Sequence, residues 1–176
     1  MSLPPDTHDD LWVSWDQYHR MIEDLCLSVH RSGWPFDQIL CLARGGLRVG
    51  DVASRVFDKP LAVLATSSYR ADAGTVRGEL DIGCHITISR GSLGGHVLLV
   101  DDLVDSGVTL ARVREHLLQN VPAITEIRSA VLWWKAGSQH APDYWVDRLS
   151  GNPWIHQPFE EYDALTIEAL ARQRVG

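Results

Sequence analysis

Cysteine is scarce in this 176-residue chain: only Cys26, Cys41 and Cys84 occur, odd in number, without CxxC spacing and set in apolar runs. That argues against a disulfide framework and for buried free thiols in a reducing compartment. Histidine is not scarce, but none of the eight falls in HxxxH or HxH spacing, so a His-ligated zinc site is not expected. No apolar run approaches the roughly 20 residues that cross a bilayer, and residues 1–10 hold neither a basic nor an apolar segment. Positive charge is also in deficit. Sixteen Lys and Arg against 23 Asp and Glu leave a formal charge of −7, which disfavours binding to nucleic acid or an anionic membrane. The 14 glycines follow no period, so a collagen-like fibre is excluded, and no internal repeat is present. A cytoplasmic globular protein is the expectation that survives.

What is present fits one domain. Hydrophobic residues make up 45% of the chain and charged residues 22%, enough apolar material for a single core at this length. Residues 1–11 read as a frayed terminus, 12–162 as the domain and 163–176 as a C-terminal helix or tail. Ser14-Trp15-Asp16-Gln17 is a capping-box pattern, followed by Tyr18, Met21, Ile22, Leu25, Cys26 and Val29 at helical spacing up to Gly33. Short apolar runs at 38–43, 61–65, 84–88, 96–100 and 127–134 read as strands. Helical spacing recurs after Gly46 and again at Leu110, Val113, Leu117 and Leu118. Strands alternating with helices predict an open, largely parallel twisted sheet flanked by helices on both faces. The polar stretch 67–83 reads as a long loop serving as a lid, or else as a hairpin or solvated insertion.

The segment richest in chemistry is His96-Val97-Leu98-Leu99-Val100-Asp101-Asp102-Leu103-Val104-Asp105-Ser106-Gly107-Val108-Thr109. A buried-type strand runs into two carboxylates, then a small-residue turn, then a helix. In open α/β sheets ligands bind beyond the carboxyl ends of strands, where Asp101 and Asp102 fall. The turn and helix entry at 105–109 offer backbone N–H groups and hydroxyls suited to a phosphate. Carboxylates would repel that phosphate, so they suit sugar hydroxyls or a bridging Mg²⁺. A phosphorylated ribose meets all these demands. A plain turn and helix cap is the commoner meaning of Asp-Ser-Gly taken alone.

This segment resembles the phosphoribosyl pyrophosphate (PRPP) signature of the type I phosphoribosyltransferases, and within them it is most similar to the bacterial xanthine-guanine enzymes. The resemblance extends through Val13-Ser14-Trp15, Ala43-Arg44-Gly45-Gly46-Leu47, Ser67-Ser68-Tyr69, Lys135 and Trp154-Ile155-His156-Gln157-Pro158, in order, over about residues 12–160. It implies the family's fold, with a small base-binding hood beside the sheet. It also implies the activity: Mg²⁺-dependent transfer of 5-phosphoribose from PRPP to N9 of a 6-oxopurine, releasing pyrophosphate and a nucleoside 5′-monophosphate, in purine salvage. A homo-oligomer, dimer or tetramer, is implied as well.

By the same resemblance, Asp101 and Asp102 hold the ribose hydroxyls and the metal, and Ser106, Gly107, Val108 and Thr109 cradle the 5′-phosphate. Asp105 is the implied general base for the proton on purine N7 and also borders the PRPP site. Ala43, Arg44 and Gly45 match the pyrophosphate loop, with a non-proline cis peptide after Ala43. Ser68, Tyr69 and Arg77 match the lid. Lys135 is implied to donate to purine O6, Trp154 to stack on the base, and the Ile155 carbonyl to accept from a 2-amino group. His156 stands where the xanthine-guanine enzymes carry Glu, and Phe159-Glu160 where they carry Trp-Asp. That departure keeps another acceptor base open, and a PRPP-binding regulator of the same fold is a further alternative.

Overall fold

The structure is a computed structural model that describes residues 10–70 and 77–174, the side chains of 67–70 and 77–80 excepted. Chain order is β1 (Leu11–Trp12), α1 (Trp15–Arg31), β2 (Gln38–Ala43), α2 (Leu47–Phe57), β3 (Leu61–Arg70), β4 (Arg77–Ile88), β5 (Gly95–Val100) and β6 (Leu103–Val104). There follow α3 (Val108–Asn120), β7 (Ile124–Lys135), β8 (Tyr144–Leu149), β9 (Ile155–His156), a 3₁₀ turn (Glu160–Asp163) and α4 (Ile167–Gln173).

Helix α1 starts where the capping box predicts. Gln17 N donates to Ser14 Oγ at 3.3 Å, and Ser14 N donates to Gln17 Oε1 at 2.8 Å. Its buried stripe is Tyr18, Ile22, Leu25, Cys26 and Val29. The helix closes at Gly33, whose φ of +67° suits a residue without Cβ.

The main sheet runs β4, β3, β2, β5, β7, β8, with β6 resuming the line of β5 along the same edge of β7. All pairings are parallel except β3 with β4. Period-two alternation sends Ile39 and Cys41 of β2 to one face and Leu40 and Leu42 to the other. The first face packs against α1 and α2 through Tyr18, Ile22, Val49 and Ala53. The second packs against α3 through Leu110, Val113 and Leu117. Two buried faces explain why these strands read as unbroken apolar runs. No helix among the described residues is long and apolar enough to cross a membrane.

A second, two-stranded parallel sheet pairs β1 with β9, Leu11 opposite Ile155 and Trp12 opposite His156. With the 3₁₀ turn it forms a small wall beside the main sheet, in keeping with the expected hood. Its pairing corrects the expected frayed segment 1–11 at its last residue, because Leu11 N donates to the Trp154 carbonyl at 2.8 Å. Residues 1–9 lie outside the described residues. The expected tail holds α4, capped by Thr166 on Ala169 N at 3.2 Å.

Stretch 67–83 is not one long loop. β3 continues to Arg70 and β4 begins at Arg77, so both arms form an antiparallel ribbon with Arg70 opposite Arg77. Ser68, Tyr69 and Arg77 therefore have strand backbone, and the lid role expected of their side chains lies outside what is described. Cys84 also departs from expectation: Cys26 and Cys41 are buried, Cys84 is exposed. Leu64 pairs with Ile86 and Thr66 with Ile82, so three residues of β4, 83–85, oppose Ala65 alone. That bulge takes Cys84 out of the alternation that half-buries Ile82 and Ile86.

Candidate active site

The carboxyl end of β5 is where the sheet opens. Asp101 and Asp102 interrupt the strand, and β6 resumes it because the Asp102 carbonyl accepts from both Leu132 N (3.0 Å) and Trp133 N (3.1 Å). The backbone of the pair is thus bound to the central strand while its side chains lie at the crevice. Both line a cleft of about 660 Å³ together with Ala43, Arg44, Gly45, Thr66, Thr109 and Glu160. A smaller adjoining cavity of about 160 Å³ is lined by Asp101, Asp102, Asp105, Ser106, Gly107 and Thr109. The carboxylate pair borders both spaces.

Burial first, and then the neighbouring Asp102 charge, push the Asp101 carboxyl well above the usual carboxylate range. Asp101 Oδ1 accepts from Asp102 N at 3.0 Å, and Asp102 Oδ2 accepts from Gln157 Nε2 at 2.6 Å. The Ala43–Arg44 peptide is cis, as the resemblance implied. After it Gly45 lies directly against the Asp102 carboxylate, where a Cβ would collide with Oδ1, and Gly46 faces the Val100 carbonyl. Residues 43–46 and the carboxylate pair are therefore one packed unit.

Gly107 ends the turn at the entry to α3 with φ +79°, and a Cβ there would sit 2.7 Å from the His140 carbonyl oxygen. Both conformation and space demand glycine. Gln139 N holds the turn by donating to the Ser106 carbonyl at 3.0 Å, and Ser106 Oγ accepts from Val108 N at 3.4 Å. No acidic residue occupies the first turn of α3. Its unpaired N–H groups and the positive end of its dipole are available to an anion.

Lys135, last in β7, reaches back to this turn. Its Nζ donates to Asn152 Oδ1 at 2.5 Å and lies 3.3 Å from Asp105 Oδ1. The lysine side chain is 11% exposed and the aspartate 69%, so the ammonium is the sheltered partner. Trp154 is half-exposed, and its Nε1 donates to Glu160 Oε2 at 3.4 Å. Pairing with β1 uses the carbonyls of Trp154 and His156, which places that of Ile155 on the opposite edge of β9. Lys135, Trp154 and Ile155 are not among the residues lining the larger cleft. Lys135 meets Asp105, which lines the smaller cavity, and Trp154 meets Glu160, which lines the larger cleft.

His156 does not line the cleft but lies beside its wall. Its ring stacks on Trp12 at 3.8 Å, Nε2 lies 3.1 Å from Asp10 Oδ2, and Nδ1 lies 3.8 Å from Glu160 Oε2. Arg44 is largely exposed, 3.6 Å from Asp163 Oδ1. Sequence reasoning missed Asn152, Gln157 as a partner of Asp102, and Arg48, which lies 3.8 Å over the Phe159 ring at the cleft wall. All are single polar residues in or near loops, where no spacing marks them. Only the run of residues 154–158 pointed to that part of the chain.

Among the described residues no group of three or more His, Cys, Asp or Glu could hold a metal by itself. Two adjacent carboxylates still fit Mg²⁺, which commonly takes one or two protein carboxylates and completes its oxygen shell with substrate and water.

Comparison with known proteins agrees with this geometry. Residues 14–164 match the phosphoribosyl transferase domain. The xanthine-guanine phosphoribosyltransferase of Idiomarina loihiensis is 30% identical over 168 residues, covering 93% of this chain and 94% of that one. The crystal structure of a purine phosphoribosyltransferase from Pyrococcus horikoshii Ot3 superposes with a TM-score of 0.72 at 30% identity, over 90% of this chain and 98% of that one. The xanthine-guanine-hypoxanthine phosphoribosyltransferase of Helicobacter pylori, at 23% identity, shares the fold with a TM-score of 0.72 over 95% and 99% of the two chains. Carboxylate pair, glycine turn and matched domain converge: the chain belongs to the phosphoribosyltransferase family, among the purine phosphoribosyltransferases.

Proposed function

We propose that this chain transfers 5-phosphoribose from PRPP to N9 of a 6-oxopurine, guanine, xanthine or hypoxanthine, and releases pyrophosphate and a nucleoside 5′-monophosphate. The observation that carries the reading is the union of Asp101, Asp102 and residues 43–45 in one cleft, with Asp105, Ser106, Gly107 and Thr109 in the cavity beside it. Backbone N–H groups of the turn and α3 receive the 5′-phosphate, the carboxylates receive the ribose hydroxyls, and the 43–46 loop with Arg44 receives the pyrophosphate. Asp101 and Asp102 would hold Mg²⁺, which would supply positive charge to the pyrophosphate group.

The acceptor base enters between Lys135 and Trp154. Lys135 then exchanges its ion pair with Asp105 for a hydrogen bond from the ammonium to O6. Adenine presents an amino donor at that position, and two donors would face each other unpaired. Asp105 accepts the N7 proton as N9 forms its bond to the anomeric carbon and the pyrophosphate oxygen leaves with the bonding electrons. The carboxylate also stabilises positive charge developing on the ribose. Choice among the three oxopurines falls to Trp154, Ile155 and Glu160, with His156 acting on the Glu160 carboxylate from behind, Nδ1 at 3.8 Å from Oε2.

The deciding experiment incubates purified protein with PRPP, Mg²⁺ and each purine and pyrimidine base in turn. PRPP consumption with at least one 6-oxopurine and none with adenine is the expected result. No turnover with any oxopurine overturns the reading.

A further inference from the structure

We infer that Gln157 is a positioning residue for the Asp102 carboxylate and, through it, for the ribose end of PRPP; the inference rests on the function proposed above. Gln157 is a buried amide, 9% exposed, at the cleft wall. Burying an amide is unfavourable unless it is hydrogen-bonded, so its position calls for a reason. Only one of its two polar ends is satisfied. Nε2 donates to Asp102 Oδ2 at 2.6 Å, and Oε1 is buried without a partner. The reverse orientation would set two acceptors against each other, so the chemistry of the pair fixes which end faces the carboxylate.

The carboxylate is gripped from two directions. Gly45 backbone presses on it from the loop 43–46, and the Gln157 amide ties Oδ2 from the wall. Gln157 is itself anchored. Ile155, two residues before, is buried and paired with Leu11, and Glu160 N donates to the Gln157 carbonyl at 3.0 Å. A side chain so held fixes the rotation of Asp102, so the lone pairs left over point to the cleft that Asp102 and Gln157 both line. Loss of the donor frees that rotation and falls on PRPP binding, with little effect on the purine, which meets neither group.

Q157E and Q157L test this, the first keeping shape and removing the donor, the second removing both polar ends. PRPP affinity measured by calorimetry without base should fall about tenfold or more in each variant, the loss expected for a charge-assisted hydrogen bond. The KM for the oxopurine at saturating PRPP should stay within about twofold of wild type. Should Q157E fail to fold, Q157M gives the same reading with a neutral chain of similar length. Unchanged PRPP affinity in the folded variants overturns the inference. So does an equal loss for PRPP and purine together with a lowered melting temperature, which would mark Gln157 as packing alone. Wild-type protein that binds no PRPP brings down the proposed function and this inference with it; active wild type with unaffected variants brings down the inference only.

Discussion

Asp101 sets stability against the role proposed for it in a single side chain. Its carboxyl is held well above the ordinary value of 3.8 by burial and by Asp102. The folded protein therefore keeps a proton that the unfolded chain has already released. Stability from this group is fullest below the ordinary value and declines as pH rises through the folded-state value. Asp101→Asn removes the titration. The expected outcome is a chain more stable than wild type at neutral pH, with a flatter dependence of melting temperature on pH and a weakened affinity for PRPP. Thermal scans across pH, paired with PRPP calorimetry, check all three. A mutant less stable than wild type at neutral pH would contradict the account. The glycines at this scale leave no such freedom, since Gly45 and Gly107 face Asp102 and His140 too closely for any Cβ.

At the scale of elements, much of the architecture follows from patterns within the sequence itself. The Ser14 box, the stripe from Tyr18 to Val29 and the unbroken apolar runs of β2, β5 and β7 give α1 and the central strands directly. Ser14→Ala removes the reciprocal cap on α1 and should cost about 1 kcal/mol, read as a lowered denaturant midpoint with unchanged slope. Legibility stops where burial is one-sided or local. The ribbon of β3 and β4 enters the sequence reading only as the hairpin alternative, because residues 67–75 carry no alternation and the bulge at 83–85 interrupts the one running from Val76 to Ile82. β8 went unread although Tyr144, Trp145 and Val146 are good strand formers, since the run is short and its outer residues are charged. The site was legible in its motif, Asp101 through Thr109, but not in its supports. Gln157 and Asn152 act across 55 and 17 residues of chain, and no local spacing reports a partner so far away.

For the whole molecule, the cleft draws on β2, β3, the Asp101–Asp102 pair, the α3 entry and the wall at 157–163, so a ligand spanning it ties together parts far apart in sequence. A ligand that binds only the folded state stabilises it by mass action. PRPP at about 100 times its dissociation constant should add about 2.7 kcal/mol, which for a chain of this size is roughly 5–10 °C in melting temperature. Differential scanning with and without PRPP measures this, and no shift at saturating PRPP would refute the proposed site.

The pairing of β1 with β9 fastens residues 11–12 to residues 155–156, with the whole central sheet lying between them in sequence. During synthesis β1 emerges well before β9 and waits for its mate while the strands between them are made. The central sheet can assemble while the chain is still growing, but the amide that ties Asp102 Oδ2 arrives only with the segment just after β9. A nascent chain stalled short of that segment would be a scaffold whose Asp102 carboxylate still swings free of the wall.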